Sequence, residues 1–131
     1  RTGLAVSDAG GFLASPVETI TERDAGRLLD KVTQAARRLE AGEVVVGHPR
    51  NMDGTRGESA RRAEVFAEEL RMRTGLPVIL WDERMTTLSA IGILNEADVR
   101  GKKRKAVVDT VAATIILQDY LDSRRMRDTP S

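Results

Sequence analysis

The 131-residue sequence contains no cysteine, which excludes a disulfide framework, a thiolate zinc site and a cysteine nucleophile. Aromatic residues make up only 3% of the chain, and this scarcity argues against a surface that binds single strands by base stacking. No apolar run approaches the ~18 to 20 residues of a membrane span, and no signal peptide is visible. We therefore expect a cytoplasmic globular protein that has no membrane partner.

The residues that are present suit one globular domain, since 40% are hydrophobic and 31% are charged. We expect this domain to span residues 1–124 and a flexible tail to follow at 125–131. The net charge is only +1, but five of the six positions in the segment 100–105 are Lys or Arg. We predict a basic loop there that contacts phosphate, and the alternative is a loop that is simply solvated.

Hydrophobic patterning indicates an α/β fold. Segments 3–7 and 12–20 are typical of two strands joined by a hairpin turn at 8–11. Apolar residues then recur at helical spacing over 23–39, and Gly42 is expected to end that helix. The runs 43–47 and 78–81 predict buried parallel strands. Further helices are predicted to end near Arg73, to begin near Thr87 and to span about 107–124. This order predicts a mixed sheet flanked by helices.

Two loops follow the carboxyl ends of the predicted parallel strands, where open α/β sheets carry their sites. The first contains His48, Arg50 and Asn51, and the second contains Asp82, Glu83 and Arg84. Both loops should lie at the same edge of the sheet. A solvated charged loop is the alternative for each, and a lone histidine at a strand end is more often structural than catalytic.

Asp109 lies on the last predicted helix and shares a face with an apolar stripe that should pack against the sheet. The stripe consists of Ala112, Ala113, Ile116, Leu117 and Tyr120. A carboxylate aligned with such a stripe is costly to bury unless it is paired or binds a metal. Alternatively, Asp109 stabilises the first turn of the helix electrostatically. The spacing leaves both interpretations open.

The chemistry of metal-dependent phosphodiester cleavage gives Glu83 and Asp109 a shared interpretation. Magnesium takes oxygen ligands, and two such ions about 4 Å apart can activate water and stabilise the leaving oxygen. These two carboxylates could supply part of that site. Two acids are few for two metal ions, so this chemistry calls for a further carboxylate.

Five motifs follow one another along nearly the whole chain. They are RTGLAVSD at 1–8, ASP and ETI within 14–20, VGHP and NMDG within 46–54, DERMTT at 82–87, and VDTVAA with IIL and YL within 108–121. Each motif is modest alone, but the set is specific. Together they resemble the YqgF/RuvX family of pre-16S rRNA nucleases, also called Holliday-junction-resolvase-like proteins.

This resemblance implies an RNase H-like fold, with a mixed five-stranded sheet in the order 3-2-1-4-5 and a three-carboxylate site. Glu83 matches the family's second acidic residue and Asp109 its third, which implies catalytic roles as ligands of Mg²⁺ or Mn²⁺. The first acidic residue belongs to a central strand that the resemblance places upstream of residue 1. We therefore expect an N-terminally truncated chain that lacks this strand and its aspartate. His48 departs from the family, which usually has leucine there.

The implied function is a metal-dependent endonuclease on structured nucleic acid, and the family name favours processing of the 5′ end of pre-16S rRNA in ribosome biogenesis. The candidate nucleic-acid contacts are Arg50, Asn51, Arg84, Lys102, Lys103, Arg104 and Lys105. One alternative is a Holliday junction resolvase that cuts branched DNA, which would suit a homodimer. Others are a noncatalytic nucleic-acid-binding module and, with less support, a protein-interaction domain.

Overall fold

The computed structural model describes residues 2–51, 53–85 and 101–128. Its elements are β1 (Thr2–Ser7), β2 (Ala14–Ile20), α1 (Ala25–Arg38), β3 (Val44–His48), α2 (Glu58–Thr74), β4 (Val78–Asp82), a 3₁₀ turn (Glu83–Met85) and α3 (Gly101–Asp128). The helix predicted to begin near Thr87 lies outside the described residues. The chain divides into a hairpin unit, residues 1–21 with 86–131, and a parallel-sheet unit, residues 22–85.

In the hairpin unit, β1 and β2 pair antiparallel, as predicted. The register runs from Thr2 opposite Ile20 to Ser7 opposite Ala14, and a bulge interrupts it between Leu4 and Ala5. Pro16 lies beside this bulge, opposite Ala5, in agreement with the rule that proline is tolerated where a ladder is irregular. Asp8 fixes the turn, because its Oδ1 accepts the backbone N–H groups of Phe12 at 2.7 Å and Leu13 at 3.2 Å.

Helix α3 packs against this hairpin at very short range. A Cβ at Gly3 would lie 2.1 Å from the backbone carbonyl oxygen of Asp109, so only glycine allows this approach. Farther along the helix, the Gln118 side chain accepts the Ala14 N–H at 2.9 Å and donates to the Phe12 carbonyl at 2.9 Å. Two residues near the C-terminal end of α3, Tyr120 and Leu121, are buried.

The boundaries predicted for α3 are wrong at its start. The helix begins at Gly101, so the basic segment 102–105 is helical rather than a loop. Lysine and arginine are good helix formers, which accounts for the helix through this segment. At its other end the helix continues to Asp128, through four residues that the sequence assigned to a tail.

The apolar stripe predicted for α3 is also less buried than expected. Tyr120 is buried, but its other members are half-exposed. The residues that bond to the hairpin include Thr110 and Gln118, which lie beside the stripe rather than on it. A two-stranded hairpin is narrower than the wide sheet that the sequence suggested, so it covers less of the helix.

The parallel-sheet unit begins with α1, whose inner face follows the sequence prediction. Asp24 caps the helix by accepting the Arg27 N–H at 3.0 Å. The buried residues are Leu29, Val32, Thr33, Ala35 and Ala36. The helix ends at Arg38 with Leu39 as the C-cap, within one residue of the predicted end, but the left-handed residue that follows is Glu40, with φ of 54°, rather than Gly42.

Strands β3 and β4 pair parallel, from Val44 opposite Val78 to His48 opposite Asp82. Helix α2 packs against both strands through a face that includes Ala60, Ala67 and Leu70, and α1 packs against α2. The prediction that both strands are buried is wrong, because every residue of β3 is half-exposed and Val78 alone is buried in β4. A sheet of two strands lacks the neighbours that would bury them.

The described residues confirm the α/β class but not one continuous sheet. Their four strands form two sheets of two strands each, where the resemblance implied a five-stranded sheet whose central strand is absent from this chain. The upstream central strand and the truncation stay predictions. Among the described residues, no helix is long and apolar enough to cross a membrane.

Candidate nuclease site

The carboxyl ends of β3 and β4 bring together most of the site residues predicted in the parallel-sheet unit. Because His48 pairs with Asp82, the loops that follow the two strands leave from the same edge, as predicted. We call this the β3–β4 edge, and it consists of His48, Arg50, Asn51, Asp82, Glu83 and Arg84.

Asp82 and Arg84 form the best-defined ion pair of the β3–β4 edge. The Arg84 Nε lies 3.0 Å from each Asp82 carboxylate oxygen, and Nη2 donates to Oδ2 at 2.6 Å. The Arg84 backbone N–H also donates to Oδ1, at 3.0 Å. These hydrogen bonds hold the pKa of Asp82 down at about 2. Asp82 is therefore a carboxylate whose bonding capacity is largely taken by Arg84.

The loop after β3 closes in a tight turn beside this pair. The Gly54 N–H donates to the Asn51 carbonyl at 2.9 Å, and the Asn51 N–H donates to the Thr55 carbonyl at 3.0 Å. Asp53 accepts the Thr55 backbone N–H at 2.9 Å and the Thr55 hydroxyl at 2.6 Å, and these bonds lower its pKa. Gly54 has a φ of 89°, which favours glycine.

Arg50 packs against the same turn. Its Nη2 donates to the Gly54 carbonyl at 2.5 Å. Its Nε is buried and has no hydrogen-bond partner among the described residues. The predicted phosphate contacts Arg50 and Asn51 therefore belong to one compact loop, in which Arg50 is partly engaged and Asn51 shapes the turn.

The His48 side chain contacts Glu64 of α2. Its Nε2 lies 2.8 Å from Glu64 Oε2, and Arg56 Nη1 donates to the other Glu64 oxygen at 2.7 Å. The His48 side chain is only 12% exposed, and the two partners lower the pKa of Glu64. This arrangement favours the structural interpretation of the lone histidine, which connects the end of β3 to α2.

Glu83 is the candidate metal ligand of the β3–β4 edge. It opens the 3₁₀ turn and is half-buried, and burial raises the pKa of its carboxyl group. The electrostatic effect of nearby His48 opposes that rise, and the negative charge of Asp82 adds to it. A carboxylate that loses hydration in this way gains more from a bound cation than an exposed one does.

The remaining predicted site residues lie in the hairpin unit. Asp109 is half-exposed on α3, and its backbone carbonyl is the one that approaches Gly3. Lys102, Lys103, Arg104 and Lys105 lie on the first turns of the same helix. The alternative that Asp109 stabilises a first helical turn is weakened, because the helix begins eight residues earlier, at Gly101.

The donor chemistry of the chain fits a hard divalent cation only in part. Glu83 offers a desolvated carboxylate, which suits magnesium or manganese. Within the described ranges, however, no three Asp, Glu or His side chains gather closely enough to hold a metal ion. A metal would thus need at least one ligand beyond those that the described residues place together.

An α/β fold that presents a half-buried carboxylate and two arginines at the end of parallel strands suits an enzyme that acts on phosphodiesters. The family model described as "RuvX: Holliday junction resolvase" matches residues 1–123. The chain therefore belongs to the RuvX family and is a nuclease.

Curated relatives agree with this assignment. A protein of Lachnospira eligens named "Putative pre-16S rRNA nuclease" is 44% identical, and the match covers 94% of this chain and 90% of that protein. A protein of the same name from Listeria monocytogenes is 48% identical over 92% of this chain and 89% of its own length. A third, from Shouchella clausii, is 46% identical over 92% and 86%.

Sequence analysis placed Asp82 and Asp53 in the two loops but did not predict that Asp82 pairs with Arg84 or that Asp53 orders the turn. It did not identify Glu64, the partner of His48, at all. The Asp–Glu–Arg sequence did carry a signal, because a carboxylate two residues before an arginine can reach it across a tight turn. Glu64 gave no such signal, since it is sixteen positions from His48 and is brought close by α2.

Proposed function

We propose that this chain is a metal-dependent endonuclease that processes the 5′ end of pre-16S rRNA in ribosome biogenesis. The observation that carries the proposal is the β3–β4 edge, where the half-buried Glu83 is followed by Arg84 in the chain and Arg50 acts electrostatically on the neighbouring Asp82. The names of the relatives support the choice of RNA. Such a protein would act in the cytoplasm.

Glu83 and Asp109 are proposed to hold Mg²⁺ or Mn²⁺ through their carboxylate oxygens, together with a further acid that the family resemblance assigns to an upstream strand. The metal would activate water and stabilise the leaving oxygen of the phosphodiester. The chain's own contribution is to keep Glu83 half-buried, and therefore short of hydration, until a cation binds.

The proposed contacts to the nucleic-acid backbone come from both units. Arg50, Asn51 and Arg84 belong to the β3–β4 edge, and Lys102 to Lys105 form the basic first turns of α3. Because contacts of this kind release counterions, we expect affinity to fall steeply as salt rises.

A second candidate function is resolution of branched DNA, which is favoured by the description of the matching family model. Symmetrical cutting of a junction would suit a homodimer. A noncatalytic nucleic-acid-binding module is the remaining alternative, and it differs from the other two by having no cleavage to lose.

The test uses the purified full-length protein, with any upstream strand that supplies the further acid, together with Mg²⁺ or Mn²⁺ and two substrates, an RNA spanning the 5′ end of precursor 16S rRNA and a four-way DNA junction. Cleavage of the RNA at a defined position supports the proposal, and preferential cutting of the junction favours the resolvase. Cleavage of neither substrate by a folded protein would contradict both enzymatic functions.

The ligand assignments are tested by Glu83→Gln and Asp109→Asn, which keep side-chain size and remove the charge. We expect each variant to lose cleavage while it retains nucleic-acid binding. Glu58→Gln is the matched control, because Glu58 is an exposed carboxylate of α2 that pairs with Arg62. Cleavage by either ligand variant at the control's rate would remove that residue from the proposed metal site.

A further inference from the structure

Two guanidinium groups at the β3–β4 edge lie against a single residue, Gly54. Arg50 Nη2 donates to the Gly54 carbonyl, and a Cβ built on Gly54 would lie 3.5 Å from Arg84 Nη1. Both arginines also act electrostatically on Asp82, which places them in one neighbourhood. The arginines come from different loops, so the fold itself brings the two positive charges together.

Like charges at such close range repel, and the two groups stay together only if something fixes them. Arg84 is fixed by the two-pronged contact of its Nε and Nη2 with Asp82. This contact leaves Nη1 on the side that lies against the Gly54 turn. Arg50 is fixed through one Nη2 hydrogen bond to the turn, and its buried Nε has no hydrogen-bond partner among the described residues.

We infer that Arg50 and Arg84 form one preformed phosphate-binding subsite over the Gly54 turn, and that Asp82 is the positioning residue that orients Arg84 within it. The ligand is a phosphate of the nucleic-acid backbone, for which a planar guanidinium in a fixed orientation is well suited. This inference rests on the proposed function, because it takes the β3–β4 edge as the surface that meets nucleic acid.

Stability alone is a poor explanation for the Asp82–Arg84 pair. Both side chains keep part of their surface exposed, 32% for Arg84 and 22% for Asp82, and exposed ion pairs contribute little to folding. If Asp82 orients Arg84, the pair should affect the binding of nucleic acid as well as the stability of the fold. This role predicts that removing a negative charge from Asp82 will weaken the binding of a polyanion.

The direction in which Asp82→Asn changes RNA binding distinguishes an orienting role of Asp82 from long-range electrostatic attraction. Asp82→Asn makes the site more positive by one charge, so long-range attraction alone should strengthen binding to RNA. If Asp82 instead holds Arg84 in place, the variant leaves Arg84 free to turn away, and binding should weaken on the order of tenfold.

The experiment measures binding of a fluorescein-labelled RNA hairpin by anisotropy in EDTA, where a metal-dependent nuclease does not cleave. The full chain is compared with Asp82→Asn and with Asp30→Asn, which removes a carboxylate from an exposed arginine pair with Arg73. We expect weaker binding for Asp82→Asn only, with unchanged circular dichroism. Tighter or unchanged binding by folded Asp82→Asn would overturn the inference.

Arg84→Lys provides a second variant in case Asp82→Asn does not fold. Lysine keeps the charge but cannot make the two-pronged contact, so an oriented subsite predicts weaker binding and a smaller dependence on salt. Binding by Arg84→Lys at the strength of the unsubstituted chain would show that a point charge is sufficient and would overturn the inference.

Failure of the inference can be distinguished from failure of the proposed function. Under turnover conditions, loss of Asp82 should raise KM and leave kcat largely unchanged, because a positioning residue for substrate binding does not act on the reacting atoms. A chain that cleaves RNA but is insensitive to Asp82→Asn retains the function and loses the subsite. A chain that binds no RNA at all loses both.

Discussion

The contacts between the β1–β2 hairpin and α3 include neutral hydrogen bonds and a close approach of two backbones, whereas the β3–β4 edge is organised by charged side chains. In the first region, Thr19 and Thr110 bond through their hydroxyls at 2.6 Å, and Gln118 bonds to the backbone of the hairpin. In the second, the main contacts join carboxylates to arginines and to His48.

We interpret the contacts between the hairpin and α3 as stabilising the fold, and the charged contacts of the β3–β4 edge as positioning side chains for nucleic-acid binding. Neutral hydrogen bonds satisfy one another and leave little for a ligand to engage. Exposed ion pairs contribute little to stability, so a charged cluster at a strand edge needs another explanation. We expect substitutions in the hairpin unit to affect unfolding first, and substitutions at the β3–β4 edge to affect nucleic-acid binding and cleavage first.

The largest effect on stability is expected from Gly3→Ala. The new Cβ would lie 2.1 Å from the Asp109 carbonyl oxygen and 2.4 Å from its carbonyl carbon, so β1 and α3 must separate. We expect a loss of about 3 kcal/mol or more in the free energy of unfolding, measured by urea denaturation. Gly42→Ala is the control, because its Cβ would meet nothing within 4 Å.

Gly42→Ala should stay within about 0.5 kcal/mol of the unsubstituted chain. Equal stability of the Gly3→Ala and Gly42→Ala variants would mean that the close packing of β1 on α3 does not support the fold in solution.

A smaller effect on stability, with a larger effect on binding, is expected from Gly54→Ala. The turn holds Gly54 at a φ of 89°, so alanine should cost about 1 to 2 kcal/mol of unfolding free energy. Gly75→Ala is the matched control, with a φ of 70° at the end of α2 and open space around it. Both variants should lose similar stability in urea denaturation.

The two glycine variants should differ in RNA binding, measured by anisotropy. Gly54→Ala disturbs the turn against which Arg50 and Arg84 lie, and we expect it to weaken binding. Gly75→Ala should bind like the unsubstituted chain. If both variants bind equally well, the Gly54 turn is only a structural feature of the loop.

How far the sequence predicts this molecule depends on whether an interaction is local. The inner face of α1 and the hairpin turn at Asp8 follow from spacing and turn chemistry, because both are set by residues near one another in the chain. The predicted start of α3 is wrong because the dense basic run was assigned to a loop that contacts phosphate, although its residues favour a helix.

The candidate site shows the same limit. Glu83, Arg50 and Arg84 could be predicted from sequence, because sites in parallel sheets lie beyond the carboxyl ends of the strands. Sequence analysis did not predict that Arg84 is engaged by Asp82, because this depends on the backbone path of a 3₁₀ turn. Burial was overestimated for β3, because a run of valines fixes a preference for the interior but not the number of strands available to cover it.

The smallest predicted effect is on the free energy of unfolding of the Glu83→Gln variant, and whether that variant is more or less stable tests the role of Glu83. Burial raises the pKa of Glu83, so the folded state holds its proton more tightly than the unfolded chain does. The resulting stabilisation is present below the ordinary pKa and is lost as pH rises through the folded pKa. In the absence of metal, Glu83→Gln should therefore increase stability at pH 7, but by well under about 1 kcal/mol because solvent screens this half-exposed group, although the substitution removes cleavage.

The pKa of Asp82, on the same edge, is shifted in the opposite direction to that of Glu83, so its effect on stability changes with pH in the opposite way. Its pKa is lowered to about 2, so its stabilisation is present above its ordinary pKa of 3.8 and is lost as pH falls towards 2. Thermal unfolding between pH 3 and pH 7 should show Glu83→Gln slightly more stable than the unsubstituted chain at neutral pH, and Asp82→Asn slightly less stable, because an exposed ion pair contributes little. If Glu83→Gln is the less stable variant at pH 7 without metal, Glu83 is a structural carboxylate with its own partners, and its place in the metal site fails on physical grounds.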